Sequence, residues 1–149
     1  MDALDRKIIA ELQADGRISV TDLAERLPLS LSATSERLKR LNDSGIITGV
    51  HARIDPALAG RTIEALVDVR LSPGAYWVEP TFDRAEFDAV VDAMHLTGRF
   101  DMQLRVMTSD VAELDALLGR LKDELGAEET NTRLVLRTLD GFPRALRPA

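Results

Sequence analysis

Three cations sit within four residues at Arg37, Lys39 and Arg40, preceded by a run of small hydroxyl side chains at Ser30, Ser32, Thr34 and Ser35 with Ala33 among them. Guanidinium and ammonium groups bind phosphate oxygens, and short hydroxyl side chains reach polar edges at close range. That chemistry needs a rigid rod to carry it. Ser30 is a helix N-cap type and Gly45 a helix stop, so 30–45 is expected to form a helix that starts after Ser30 or Ser32. Leu31, Leu38 and Leu41 are expected to face inward with Thr34 on their flank. The remaining side chains are left to solvent or to a partner.

Two earlier helices position it. Leu4, Ile8, Ile9 and Leu12 make an apolar stripe at helical spacing over 3–14, with Asp2 as cap and Asp5 in the first turn. Asp15-Gly16 stops that helix, the glycine taking the left-handed conformation. Ser19 caps the next, with Asp22 three residues on as in a capping box, Leu23, Ala24 and Leu27 as the buried face, and Pro28 ending it. Two short helices and a turn before a basic helix make a helix-turn-helix arrangement. By pattern alone the basic face is either a groove-reading surface or an ordinary solvated one.

The 149 residues suffice for one domain or two small ones. There is no cysteine, which excludes disulfides, thiolate metal sites and cysteine nucleophiles. The acidic start, Met1-Asp2-Ala3-Leu4-Asp5, lacks the pattern of a signal peptide, and no apolar run approaches a membrane span, so a cytoplasmic protein without a membrane partner is expected. The net charge of -6 weighs against nucleic acid, but it is unevenly spread. Residues 1–60 carry 8 Lys+Arg against 9 Asp+Glu, and residues 61–149 carry 11 against 16. Local charge governs phosphate contact more than the chain total does.

Beyond the helices, Ile46 to Ile54 reads as extended, and Asp55-Pro56 with Gly60 marks a boundary. Ile63–Leu71 and Phe100–Met107 alternate as strands. Val111, Leu114, Leu117, Leu118, Leu121 and Leu125 follow helical spacing, and Asn131–Leu139 alternates again. Val90–Leu96 fits a strand or a helix end. Pro80 can open a short helix within the irregular stretch 72–86, which holds Tyr76 and Trp77. The order is βαββαβ, the ferredoxin-like arrangement. Leu66, Met107, Val135 and Leu139 are expected on the sheet's open side, where they would favour pairing with a second copy.

The segments Leu4–Ile9, Asp15–Ile18, Asp22–Ala24, Leu29–Ser32, Arg37–Leu41, Gly45–Ile47, Ile54–Pro56 and Leu96–Asp101 resemble, in order and spacing, the Lrp/AsnC family of transcription regulators. The resemblance covers nearly the whole chain. It implies an α+β protein: an N-terminal (winged) helix-turn-helix domain over 1–60, a ferredoxin-like βαββαβ ligand-sensing and oligomerisation domain over 61–141, and a tail over 142–149. The implied partners are double-stranded DNA, a small-molecule effector, expected to be an amino acid, and further copies of the chain as dimer, tetramer or octamer. Stretch 72–87 departs from the family pattern, where relatives have a regular amphipathic helix.

The DNA-contact set is then Ser30, Ser32, Ala33, Thr34, Ser35, Arg37, Lys39 and Arg40. Thr97, Gly98, Arg99, Phe100 and Asp101 form the implied effector segment, with Thr97, Gly98 and Asp101 carried over as contacts. From the residues alone, Gly98–Asp101 is simply a tight turn between strands with Asp101 on the solvent face. His51 and His95 fall in different domains without a motif, and no nucleophile stands with a base and orienter at motif spacing. No catalytic residue, metal or cofactor is expected. The alternative is a metabolite-sensing oligomer whose helix-turn-helix contacts protein, and an enzyme on the βαββαβ scaffold is a second rival.

Overall fold

The N-terminal helices form where their caps and stripes dictate. In this computed structural model, which describes residues 1–52, 54–74 and 87–139, α1 spans Ala3–Ala14, α2 Val20–Glu25 and α3 Leu31–Asp43. Asp2 and Asp5 close a full capping box on α1: the Asp2 carboxylate accepts from the Asp5 N–H (2.9 Å), and the Asp2 N–H donates to Asp5 (3.0 Å). At α2 the box is only half built. The Ser19 hydroxyl accepts from the Asp22 N–H at 3.1 Å and donates to the Asp22 carboxylate at 2.7 Å. That helix ends at Glu25, one turn ahead of Pro28.

Ile8, Leu23, Leu27 and Leu41 are the buried core of this three-helix unit, with Ile9, Leu12, Ile18, Leu29, Leu38 and Ile47 packed around them. Arg26 ties α2 to α1 through Glu11 at 2.7 Å. Two expectations are corrected here. Gly16 is not left-handed. A Cβ there would lie 2.6 Å from Val50 Cγ1, so a larger residue would have to displace that side chain. Leu31, expected inward, is 53% exposed, whereas Thr34, placed on the flank, is fully buried.

Residues 46–52 form no strand. An extended segment without a neighbouring ladder leaves its backbone unpaired. Ile47 instead joins the helical core and donates its N–H to the Leu41 carbonyl (3.1 Å).

The chain divides into compact units between residues 53 and 54. The stretch 54–60, assigned by sequence to the first domain, groups with the second unit. Asp55 caps a turn there by accepting from the Ala57 N–H (2.9 Å). Arg61 then bonds Asp88 and Glu113, and the Thr62 hydroxyl bonds the Ser109 carbonyl (2.6 Å).

The second unit is a four-stranded antiparallel sheet in the order β2-β3-β1-β4, built from β1 (Ile63–Leu71), β2 (Val90–His95), β3 (Met102–Thr108) and β4 (Ala127–Leu134), with α4 (Val111–Leu125) packed on it. Alternate residues of each strand point to opposite faces. Ala65, Val67 and Val69 of β1 and Met102, Leu104 and Val106 of β3 therefore meet Leu114, Leu117 and Leu121 of α4 in one core. The strand order is that of the ferredoxin-like arrangement. The short helix expected around Pro80, with Tyr76 and Trp77, lies outside the described residues.

Val90–His95 resolves as a strand. The last strand differs from the expected Asn131–Leu139. β4 pairs with β1 from Leu71↔Ala127 to Ala65↔Leu134, and the Val135 N–H still reaches the Glu64 carbonyl (2.8 Å). Beyond that point β1 has almost no residues left to pair, so 135–139 carries no strand and Leu136 is 95% exposed. The opposite face of the sheet carries Leu66 and Met107, as expected, among Glu64, Asp68, Arg70, Gln103 and Arg105. Asp68 is buried there by Gln103, Asn131 and Arg133, all within 3.2 Å.

Candidate nucleic-acid interface and effector segment

α3 sorts the sequence-predicted contact residues by direction. Ser30 is its N-cap, accepting from the Ala33 N–H at 3.2 Å. The Thr34 hydroxyl donates to the Ser30 carbonyl (3.0 Å) and is buried, so it is withdrawn from any surface that meets a partner. Ala33 is half-buried. Ser32, Ser35 and Lys39 are exposed, and Lys39 and Ser35 make no side-chain bond within the described residues. Glu36, which the sequence left to solvent or a partner but outside the contact set, shares that exposed face and also makes no side-chain bond among the described residues. A helical wheel places it beside Ser32, on the side away from Lys39, so the signal was present.

Arg37 and Arg40 are not free. Arg37 donates to Asp2 Oδ2 (2.6 Å) and Asp5 Oδ1 (2.9 Å), and Arg40 reaches both oxygens of Asp5 at 2.8 and 3.0 Å. The Asp5 N–H, then Arg37, holds the Asp2 carboxyl at about 2, from 3.8. Asp5 is also lowered, first by the Asp2 N–H and then by Arg37 and Arg40, against the opposing effect of burial. Arg37 is raised by its bonds to Asp2 and Asp5. Partners 32 and 35 positions apart in sequence left no local pattern from which to find this cluster.

The effector segment joins β2 to β3. Thr97, Gly98 and Arg99 are exposed, Phe100 and Asp101 half-buried. Gly98 has φ +115°, a region that L side chains rarely adopt, and a Cβ there would meet nothing within 4 Å. Asp101 braces the turn rather than facing solvent: Oδ2 accepts from the Leu71 N–H (2.8 Å), and its own N–H donates to the Val69 carbonyl (2.9 Å). The Leu96 N–H closes the loop on the Asp101 carbonyl (2.8 Å). Arg99 lies 5.2 Å from the Phe100 ring centroid and pairs with Glu129, which also holds Arg70 at 3.0 Å. No group of three or more potential metal ligands occurs among the described residues, and none of their helices is long and apolar enough to cross a membrane.

A three-helix unit with a capped basic third helix, followed by a four-stranded antiparallel sheet in ferredoxin order, defines a helix-turn-helix regulator with an α+β ligand-binding domain. Residues 1–48 match the family described as winged helix-turn-helix DNA-binding, and residues 64–143 match the Lrp/AsnC ligand binding domain. The chain is 32% identical to the HTH-type transcriptional regulator FL11 of Pyrococcus horikoshii, over 93% of this chain and 91% of that one. It is 34% identical to the leucine-responsive regulatory protein of Haemophilus influenzae, over 91% and 84%. Among solved structures, the feast or famine regulatory protein of M. tuberculosis complexed with L-methionine superposes with a TM-score of 0.84 at 30% identity, covering 99% of both chains. This chain belongs to the Lrp/AsnC family of transcription regulators; it is a regulator and not an enzyme.

Proposed function

We propose that this regulator binds specific double-stranded DNA sites through α3, works as a homo-oligomer in the cytoplasm, and responds to an amino acid at the 97–101 segment. The observation that carries the DNA reading is the exposed face of α3. Ser32, Ser35 and Lys39 are exposed, Ser32 sharing a hydrogen bond only with the Ser30 hydroxyl (3.2 Å), while Thr34 and Leu41 hold the opposite face in the core. Hydroxyl side chains at base edges would supply sequence preference, and Lys39 with the outer part of Arg40 would neutralise phosphate. Ser30 serves by starting the helix. A dimer would present two such helices to half-sites about one helical turn, or a multiple of it, apart.

The second unit supports oligomerisation and sensing. Leu66 and Met107 lie on the sheet face away from α4, where a second copy would cover them. At the β2–β3 turn, exposed Gly98 leaves room for a ligand carboxylate near backbone N–H groups, and Asp101 keeps Oδ1 available for an ammonium. The M. tuberculosis and Neisseria meningitidis relatives are known in complex with L-methionine, which makes an amino acid the first ligand class to examine.

DNA binding is tested by fluorescence anisotropy on the upstream region of the chain's own gene at several salt concentrations. Affinity should depend on sequence and fall steeply with salt. Binding that is flat in salt and indifferent to sequence would leave a helix-turn-helix that contacts protein. Sensing is tested by thermal shift with each of the twenty amino acids. At least one should stabilise the protein at millimolar concentration, and none doing so would contradict the amino-acid reading.

A further inference from the structure

Arg37 lies on the inward side of α3. At about 100° per residue, side chains three and four positions apart share a helix face. Arg37 therefore falls about 40° from Leu41 and about 60° from Thr34, both buried, while Ser32, Glu36 and Lys39 occupy the opposite half. Its side chain is only 24% exposed. Asp5 opposite it is 4% exposed and saturated by Arg37, by Arg40 and by the Asp2 N–H. A phosphate that drew Arg37 away would leave this buried carboxylate to Arg40 alone, whose side chain is 59% exposed, and would unbind α3 from Asp2.

On the reading that α3 meets DNA, we infer that Arg37 is a positioning residue and not a phosphate contact. With Asp2 and Asp5 it forms a fork that fixes the pose of α3 on α1, and Lys39 carries the phosphate-facing charge. Both bonds leave Nη1, whose two N–H groups are held in the guanidinium plane and spread toward the two carboxylates; a lysine ammonium on a flexible stem is not fixed in that direction. Asp2 and Asp5 both titrate below their ordinary range, so the fork stays charged at neutral pH.

The full-length protein and its Arg37→Lys, Arg37→Gln, Lys39→Gln and Asp2→Asn variants are compared by DNA anisotropy across salt concentrations, each at a temperature where its circular dichroism matches the parent. Arg37→Lys keeps the charge and loses the fork. Its affinity should fall about tenfold, the scale of one lost base contact. The slope of log affinity against log salt should not change. Lys39→Gln should keep the melting temperature and flatten that slope by about one. Parental binding by Arg37→Lys, together with a flattened slope and parental melting in Arg37→Gln, would overturn the assignment. If Arg37→Gln does not fold, Asp2→Asn decides. It should weaken binding at constant slope, and tighter binding would show that Asp2 merely competes with phosphate.

A parent protein without salt-dependent DNA binding would defeat the DNA reading and leave the fork to be judged separately. The melting losses of Asp5→Asn and Arg37→Gln should then be non-additive. Additive losses would overturn the fork as well.

Discussion

The two units of this molecule solve the same problem at different scales. The sheet unit buries twelve apolar side chains from three strands, a helix and their connections among its described residues, whereas the helical unit has five, four of them in one cluster. The small core is supplemented by charge: Asp2, Asp5, Arg37 and Arg40 join the first turn of α1 to the middle of α3. The sheet unit also carries a buried carboxylate, Asp68. It lies on the open face, with an Arg133 that is 52% exposed. A polar cluster therefore sets the pose of a functional helix in one unit and decorates a sheet already held by its core in the other.

The largest expected separation between the units comes from core truncation. Leu41→Ala and Leu104→Ala should each cost about 2–5 kcal/mol, since both side chains are almost wholly buried. Leu41→Ala removes one of four core members, so amide-exchange protection should collapse across Ala3–Asp43. Leu104→Ala should shift the unfolding midpoint and leave protection in β1 and β3. Equal protection loss in both units would break the comparison. Next in size, Asp5→Ala should cost about 3 kcal/mol, because it leaves Arg37 without its buried countercharge. Asp68→Ala should cost about 1–2 kcal/mol, since its former partners regain water. Denaturant titrations check the order, and the reverse order would contradict the role given to the helical fork.

Acid should reveal the same asymmetry. Asp2 and Asp5 have folded values below their unfolded ones, so their contribution is present above about pH 4 and is lost as pH falls. For Asp2 the window runs from 3.8 down to about 2. Helical protection over 3–43 should fall through that range, and Asp2→Asn should remove the Asp2 share of the dependence. Glu113 and Glu124 of α4 are also lowered, by Ser109 and by Arg120 respectively, so the sheet unit should weaken in acid in the same direction. The smallest effect is at the caps. Ser30→Ala and Asp110→Ala should each cost about 1 kcal/mol, measured as the shift in chemical denaturation.

What was legible in the sequence follows from the range of the interactions involved. Helices α1 and α4 and strand β1 were read at their observed bounds, because caps and apolar spacing act within a few residues. The start of β4 was not: Ala127-Glu128-Glu129-Thr130 shows no clear alternation, and the strand exists because β1 offers it a partner. Its end was misplaced for the same reason, since pairing with β1 runs out near Glu64. At the site, the direction of Ser32, Ser35 and Lys39 was readable from helical spacing. Thr34 and Leu31 exchanged their expected places because the core selected the smaller side chain, whose hydroxyl can bond the helix backbone. The fork of Arg37 with Asp2 and Asp5 was invisible, being a contact between the two ends of the helical unit's sequence.

The central claim, that the outward face of α3 is a DNA-reading surface, is tested most directly by anisotropy titration of the full-length protein on its own upstream DNA and on a scrambled duplex across salt concentrations. The account predicts a linear fall of log affinity with log salt on both duplexes, with the upstream DNA bound more tightly throughout and the slope shallower by about one in Lys39→Gln. Equal affinity for the two duplexes, or a slope indifferent to salt, would contradict it.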